Sequence, residues 1–385
     1  MKVLVIPSFY PDNSNPTHGI FFKNQVEGMA NYVDVSVINI KTDWLSPFPF
    51  NLNKNRSDNF PKYLNENGIN LYQDKCFAIP KFQPLSSKSY KRKALAVFSR
   101  LIEEQGMPDL IHAHITYPGG YIGSELSKIY KIPLIVTEHA SYFSSKLLTG
   151  SYKKYSNQVI SLADKYTAVS STLANMVKFN GREDCIVIPN FINVKDFQVK
   201  KERSKDIFRF INIAAMRHIK GIDILLKAIK ILVFDMGKQN FIVYFVGGGK
   251  DEKKYRKMAK TLGIEEWCRF YSNVNYASIP SLIFGADSLV IASRFETFGI
   301  AGIEAMACGL PVVSTDCGGT REFVNGDTGI IIEGHSAEAL ASGMLTVMEK
   351  KEFWNPDTIR ENVDRNYSIE AVVQQIIEIY NDLLS

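Results

Sequence analysis

The sequence predicts an α/β protein built as two doubly wound, Rossmann-like domains, and three observations carry that prediction. The 385 residues exceed what one hydrophobic core usually serves. Short β-rich runs alternate with helix-length segments, the order that gives parallel sheets covered on both faces. A polar and charged stretch, VKDFQVKKERSKD at 194–206, interrupts this alternation and reads as a linker. The boundary is therefore set near residue 195, with a first domain over 1–194 and a second over 195–365.

Taken in order, the first set of strand candidates is VLVIP (3–7), VDVSVINI (33–40), DLIHAH (109–114), PLIVTEH (133–139), KYTAVS (165–170) and CIVIPN (185–190). The second set is FRFINIAA (208–215), FIVYFVGG (241–248), CRFYS (268–272), DSLVIAS (287–293), LPVVSTD (310–316) and TGIIIE (328–333). Residues 41–86 lack a clear period and read as an insertion over a site or a mobile loop. The tail from 366 to 385 places Ile369, Val372, Val373, Ile376, Ile377 and Tyr380 at helical spacing.

Composition excludes several classes. An apolar fraction of 45% and a charged fraction of 22% are ordinary for a soluble protein, and no run approaches the ~18 apolar residues of a membrane span. The opening MKVLVIPSFYPD is too brief for a secretory h-region, so a cytoplasmic location is expected. Cys76, Cys185, Cys268, Cys308 and Cys317 are odd in number, widely spaced and free of CxxC pairs, which argues for reduced packing residues over a disulfide framework or zinc site. Residues 1–190 carry 21 Lys+Arg against 15 Asp+Glu, and the remainder 24 against 25. The excess peaks at SKSYKRKALAVFSRL (87–101), where Lys88, Lys91, Arg92 and Lys93 precede Leu95, Phe98 and Leu101. Two readings stand: a solvated cover helix, or a helix resting on an anionic membrane surface. Nucleic acid is excluded as a partner, because the charge is modest and no RNP, zinc-finger or helix-turn-helix pattern accompanies it.

The most informative stretch is SRFETFGIAGIEAMACGLPVVSTDCGG (293–319), with Glu296 and Glu304 eight positions apart and no lysine between them. It follows the strand candidate DSLVIAS, so its turn lies at a strand's C-terminal edge, where open α/β sheets bind ligands. IAGIEAMACG has the composition of the next helix, whose N-terminus would offer the amides of Phe298, Gly299 and Ile300 to phosphate. On this reading backbone dipoles meet the phosphates while the two carboxylates accept hydrogen bonds from hydroxyls, as a ligand with both phosphates and sugar hydroxyls requires. The competing reading makes the glutamates a surface loop acid and a solvated helix acid.

At these residues the chain resembles the retaining nucleotide-sugar glycosyltransferases of family four, whose signature is two glutamates separated by seven residues in a frame matched here by SRFETFGIAGIEAMACGLPVV. IPSFYPDNSNPTHGIFFKNQVEGMA, PDLIHAH, IPLIVTEHA, VIPNFINVKDF, IKGIDILLKAI, FVGGG and CGGTREFVNGDTG agree in order and spacing, over nearly the whole chain. The resemblance implies the GT-B fold: two Rossmann-like domains facing a central cleft, with the C-terminal helix (about 366–385) packing back on the first and the second binding the nucleotide-sugar. It implies that Glu304 holds the ribose hydroxyls, Glu296 sits by the transferred sugar and Lys220 neutralises the diphosphate leaving group. Phe298, Gly299 and Ile300 would offer amides to the donor, Gly19 would lie in the loop closing over the diphosphate, and His114 beside the donor sugar. His139 would be an acceptor or cleft residue. Where the family often has an arginine five residues before the lysine, this chain has Ala215; Arg217 has two readings, a phosphate partner reaching in from a shifted position or an exposed loop arginine. Each histidine also has a packing or capping reading, and His112, on the same strand face as His114, leaves burial to explain one of the two.

The activity implied is retaining transfer of a sugar from a UDP- or GDP-sugar to a glycan or lipid-linked acceptor in bacterial surface polysaccharide synthesis. The expected route is front-face: a phosphate oxygen takes the acceptor proton, with Glu296 positioning. No cofactor or metal is expected, since no DxD frame or ligand-spaced His/Asp cluster occurs. An NAD-dependent oxidoreductase would need a GxGxxG after the first strand, and GGG at 247–249 lacks the later glycine. A nucleotide-sugar 2-epimerase of the same fold and a catalytically silent nucleotide-sugar-binding subunit remain as alternatives.

Overall fold

The computed structural model describes residues 1–12, 18–44, 60–66, 68–78, 83–140, 150–200, 206–272 and 274–385. These form two units, Met1–Ile188 with Val373–Ser385, and Pro189–Val372. Each is a doubly wound α/β layer structure.

The first unit holds an eight-stranded sheet of β1 (Lys2–Pro7), β2 (Asp34–Trp44), β3 (Lys62–Glu66), β4 (Ile69–Ala78), β5 (Leu110–His114), β6 (Leu134–Glu138), β7 (Lys165–Ala168) and β8 (Ile186–Val187), in the order β3-β4-β2-β1-β5-β6-β7-β8. All neighbours are parallel except β3 and β4. The central strands are buried on both faces, as their near-continuous apolar runs require. Its helices are α1 (Ile20–Met29), α2 (Gln83–Gln105), α3 (Tyr121–Tyr130), α4 (Ser151–Leu162) and α5 (Ser171–Phe179). Strand order reverses between β1 and β5, which pair with Val5 opposite His112 and Pro7 opposite His114.

Two expectations change here. Within 41–86, the aperiodic segment, β2 runs on to Trp44 and β3 and β4 form an antiparallel pair. The hairpin extends the sheet at its edge, where Lys62, Tyr63, Leu64 and Asn65 are half-buried or exposed on both faces of β3 and so show no alternation; residues 45–59, 67 and 79–82 lie outside the described residues. The basic stretch 87–101 lies in α2, whose Ala94, Val97, Phe98 and Leu101 are buried, giving it the packing of a cover helix. Lys91 pairs with Glu125 at 2.5 Å and Lys93 with Asp74 at 2.9 Å, while Lys88 and Arg92 are exposed.

The second unit holds six parallel strands, β9 (Phe208–Ile213), β10 (Phe241–Val246), β11 (Cys268–Tyr271), β12 (Ser288–Ile291), β13 (Val312–Thr315) and β14 (Gly329–Ile332), in the order β11-β10-β9-β12-β13-β14. Numbered within the unit this is 3-2-1-4-5-6, the dinucleotide-binding order, with its switch point between β9 and β12. Helices α6 (Ile222–Lys230), α7 (Glu252–Thr261), α8 (Ile279–Phe284), α9 (Ile300–Ala307), α10 (Ala337–Glu349) and α11 (Pro356–Asn366) complete it. Asn355 caps α11 by accepting from the amides of Asp357 and Thr358 with Pro356 at the first turn, a start signal written in the sequence. The last helix, α12 (Ile369–Leu384), contains the division between the units. All five cysteines are free and buried. No helix among the described residues is long and apolar enough to cross a membrane.

Candidate functional site

In the second unit the loops after β9 and β12 meet at the switch point. The β9 loop carries Arg217 and Lys220; the β12 loop carries Ser293, Arg294 and Glu296. Lys220 Nζ donates to both carboxylate oxygens of Glu296, at 2.6 and 2.8 Å, and Ser293 Oγ donates to Glu296 Oε1 at 2.6 Å. The absence of a lysine from the signature turn is thus misleading: an ammonium 76 residues earlier in the chain neutralises Glu296. The pair is partly buried, the lysine 26% and the glutamate 13% exposed, so it is screened less than a surface pair.

Three features fix this geometry. Gly221 has φ +61°, and a Cβ there would lie 1.8 Å from the carbonyl oxygen of Ala292, so only glycine lets the Lys220 loop press against the end of β12. Arg294 clamps the two loops together: its guanidinium donates twice to Asp223 (2.8 and 2.6 Å) and once to the His218 carbonyl, and its own amide donates to the Ile219 carbonyl. Burial alone would raise the Asp223 carboxyl, and the Arg294 hydrogen bonds outweigh it, holding the group below the usual carboxylate range. Glu296 itself is held by backbone, its amide donating to the Cys317 carbonyl and its carbonyl accepting from the Gly319 amide.

Beyond the turn, Gly299 caps α9 at φ +97°. The first amides of this helix have no acceptor within it and carry the positive end of the helix dipole. Phe298 turns its ring into the core against Phe323 and Tyr367, so only its backbone can face a ligand. Glu304, one turn inside the helix, is 4% exposed and accepts a 2.9 Å hydrogen bond from the Tyr276 hydroxyl. It is not the solvated helix acid of the competing reading. Burial pushes its carboxyl up to about 7, with the Tyr276 hydrogen bond pulling the other way. Arg217 is exposed in the same loop as Lys220, and its carbonyl accepts from the Lys220 amide.

In the first unit, Gly19 starts α1 at φ +81°, where a Cβ would lie 2.8 Å from the Phe9 carbonyl oxygen, so only glycine lets the start of α1 press against the backbone after β1. His114 ends β5 and His139 follows β6; both are buried, and His114 Nδ1 and His139 Nε2 stand 3.0 Å apart. Phe22 of α1 packs on both rings. His114 Nε2 is buried with no hydrogen-bond partner among the described residues. Burial, with the neighbouring imidazoles, holds His114 well below the ordinary histidine pKa, so the ring is neutral. His112 is the histidine that burial explains: its nitrogens meet the Tyr380 and Thr137 hydroxyls, each at 2.6 Å, and burial lowers its pKa to about 3. Glu138 accepts from the amides of Thr116, His139 and Ala140, fixing the strand ends that carry the histidines.

Sequence reasoning misses Gly221, Asp223, Ser293, Arg294 and Tyr276. Gly221 has a local signal, the glycine directly after Lys220 before an apolar helix, whereas Tyr276, Asp223 and Arg294 act across 28 to 76 residues.

Two family models account for most of the chain: "Glycosyltransferase Family 4" over residues 60–196 and "Glycosyl transferases group 1" over residues 194–381. The chain belongs to the family four glycosyltransferases and has their GT-B fold. Its relatives include a putative teichuronic acid biosynthesis glycosyltransferase, TuaC, of Bacillus subtilis (strain 168), 28% identical across 97% of this chain and 98% of that one. Another is the N-acetyl-alpha-D-glucosaminyl L-malate synthase of Bacillus anthracis, 26% identical across 88% of each. Among solved structures, sucrose-phosphate synthase from Thermosynechococcus elongatus superposes with a TM-score of 0.77 at 18% identity over 99% of this chain and 98% of that one. The Anabaena protein HepE in complex with UDP and glucose gives 0.72 at 19% identity over 99% of each chain. At such identities these structures speak to the fold alone.

Proposed function

We propose that this glycosyltransferase moves a sugar, with retention of configuration and without a metal, from a UDP- or GDP-sugar to a glycan or lipid-linked acceptor in bacterial surface polysaccharide synthesis. The observation that carries the proposal is the cluster at the β9/β12 switch point: Lys220 on Glu296, the α9 N-terminus beside them, and the buried Glu304 one turn on. A nucleoside diphosphate sugar presents the matching chemistry. Its diphosphate suits the helix amides and the Lys220 ammonium, with Arg217 in reach of the same loop; its ribose diol suits a buried carboxylate.

In the proposed reaction the bond between the sugar and the diphosphate oxygen breaks with its electron pair going to the diphosphate. Lys220 and the α9 amides stabilise that developing charge. The acceptor hydroxyl attacks from the same face and a diphosphate oxygen takes its proton, so no protein nucleophile is consumed. Glu296, already oriented by Ser293, positions the sugar. His114, neutral at working pH, offers the unpartnered Nε2 to a donor-sugar hydroxyl, and His139 braces it. A lipid-linked acceptor would bring the protein to a membrane surface, where exposed Lys88 and Arg92 of α2 are the cations left to meet anionic lipid. A relative named for teichuronic acid biosynthesis supports the acceptor class.

The test is product analysis with a panel of UDP- and GDP-sugars and membrane or glycan acceptors in the presence of EDTA. Transfer with retained anomeric configuration is expected. Epimerised donor without transfer, inversion, or loss of activity in EDTA would each overturn the corresponding part of the reading.

A further inference from the structure

Glu304 is almost fully enclosed, and a carboxylate in such a place needs hydrogen-bond donors. Its side-chain donor comes from outside its own helix. Tyr276 opens a short helical turn, Tyr276–Ser278, whose start is fixed by the Asn275 side chain accepting from the Ala277 amide. The ring is half-buried and reaches Glu304 Oε1 at 2.9 Å. Among the described residues the Cys308 thiol at the end of α9 also interacts with Glu304; it is buried and pushed up to about 12 by that burial, so it stays neutral.

We propose that Tyr276 is a positioning residue for the nucleotide: by donating to one oxygen of Glu304 it leaves the other oxygen to the ribose hydroxyls, and so sets both the orientation of that carboxylate and the preference for ribose. This rests on the reading of Glu304 as the ribose acceptor. It makes the segment after β11 part of the donor site, although nothing in the signature turn points to it. The phenol is suited to the task because it donates a single hydrogen bond from a ring held by two torsions, so the carboxylate cannot swing between partners. Burial raises the Glu304 carboxyl, and because the Tyr276 hydrogen bond favours its ionised form, losing that bond would move the pH at which the site can accept from a sugar hydroxyl upward.

The experiment is calorimetric titration of the whole protein with UDP and GDP and their 2′,3′-dideoxy forms between pH 5.5 and 9, for the parent, Tyr276→Phe and Glu304→Gln. The parent is expected to prefer the ribose form and to lose that preference as pH falls through about 7. In Tyr276→Phe the preference should shrink by about tenfold at pH 7, and its acid midpoint should move to higher pH. Comparing variants at each pH cancels the titration of the nucleotide phosphate. Tyr276→Phe keeps the ring and so the burial of Glu304, which leaves the lost hydrogen bond to move the midpoint, and unfolding by circular dichroism identifies a variant that has lost its fold; Tyr276→Leu, which has no hydrogen-bond donor, should then show a displacement in the same direction. An unmoved midpoint with undiminished ribose preference in folded Tyr276 variants overturns the inference. Parent-like ribose preference in Glu304→Gln would instead overturn the ribose reading on which it rests.

Discussion

Replacing Gly221 with alanine isolates the contact that brings Lys220 to Glu296. The new Cβ would begin 1.8 Å from the Ala292 carbonyl oxygen and must retreat to at least 3.0 Å, so the loop has to move by more than an ångström at its tightest point. Two costs add: about 1–2 kcal/mol for a left-handed conformation at a non-glycine residue, and about 1–3 kcal/mol for forcing atoms into a packed site. Destabilisation of roughly 2–5 kcal/mol is therefore expected in urea denaturation. The control is Gly237→Ala, which shares the positive φ (+65°) but has nothing within 4 Å of the added methyl, and should show the first cost alone. The same shift pulls Lys220 Nζ off Glu296, and misplacing a positioning group by about 1 Å can reduce turnover ~100-fold. Equal stability losses for the two alanine variants, or parent-like sugar transfer by Gly221→Ala, would refute the reasoning.

Other outcomes follow from the same geometry. Lys220→Ala should lower kcat by about 100-fold or more in a steady-state transfer assay while changing donor KM less, because its charge is needed most as the leaving group forms. Glu304, with a folded pKa of about 7 against an ordinary 4.5, binds more protons folded than unfolded between those values, so its contribution to stability falls as pH rises through that window. Glu304→Gln should therefore gain stability relative to the parent at pH 8 compared with pH 4.5, by roughly 3 kcal/mol in denaturant titrations; an unchanged difference would deny the buried, ionisable state. His112→Leu should destabilise the first unit by about 2 kcal/mol by leaving the buried Tyr380 hydroxyl unmatched and Thr137 with Thr167 as its remaining hydroxyl partner, whereas His114→Ala should cost chiefly turnover. Liposomes rich in anionic lipid should cosediment the protein at low salt and release it at high salt, and Lys88→Gln with Arg92→Gln should abolish the effect.

Much of the architecture can be read from the chain because buried parallel strands write themselves as apolar runs, and twelve such runs stand in the amino-acid sequence. The β3–β4 hairpin escapes because β3 is open on both faces and the buried run of β4 is broken by the polar Gln73 and Asp74. The candidate site divides in the same way. Glu296, Gly299 and Glu304 share one local turn and are legible from spacing, but the Lys220–Glu296 and Asp223–Arg294 pairs join loops after different strands. No local period records that β9 and β12 are neighbours. Burial likewise separates His112 from His114 only once Tyr380 is in place.

The decisive measurement is a crystal structure of the protein soaked with UDP or GDP. The diphosphate should lie against the α9 amides with Lys220 turned toward it, and the ribose hydroxyls should donate to Glu304 beside Tyr276. A nucleotide bound elsewhere, with Lys220 still closed on Glu296 and Glu304 untouched, would contradict the assignment of the switch-point cluster as the donor site.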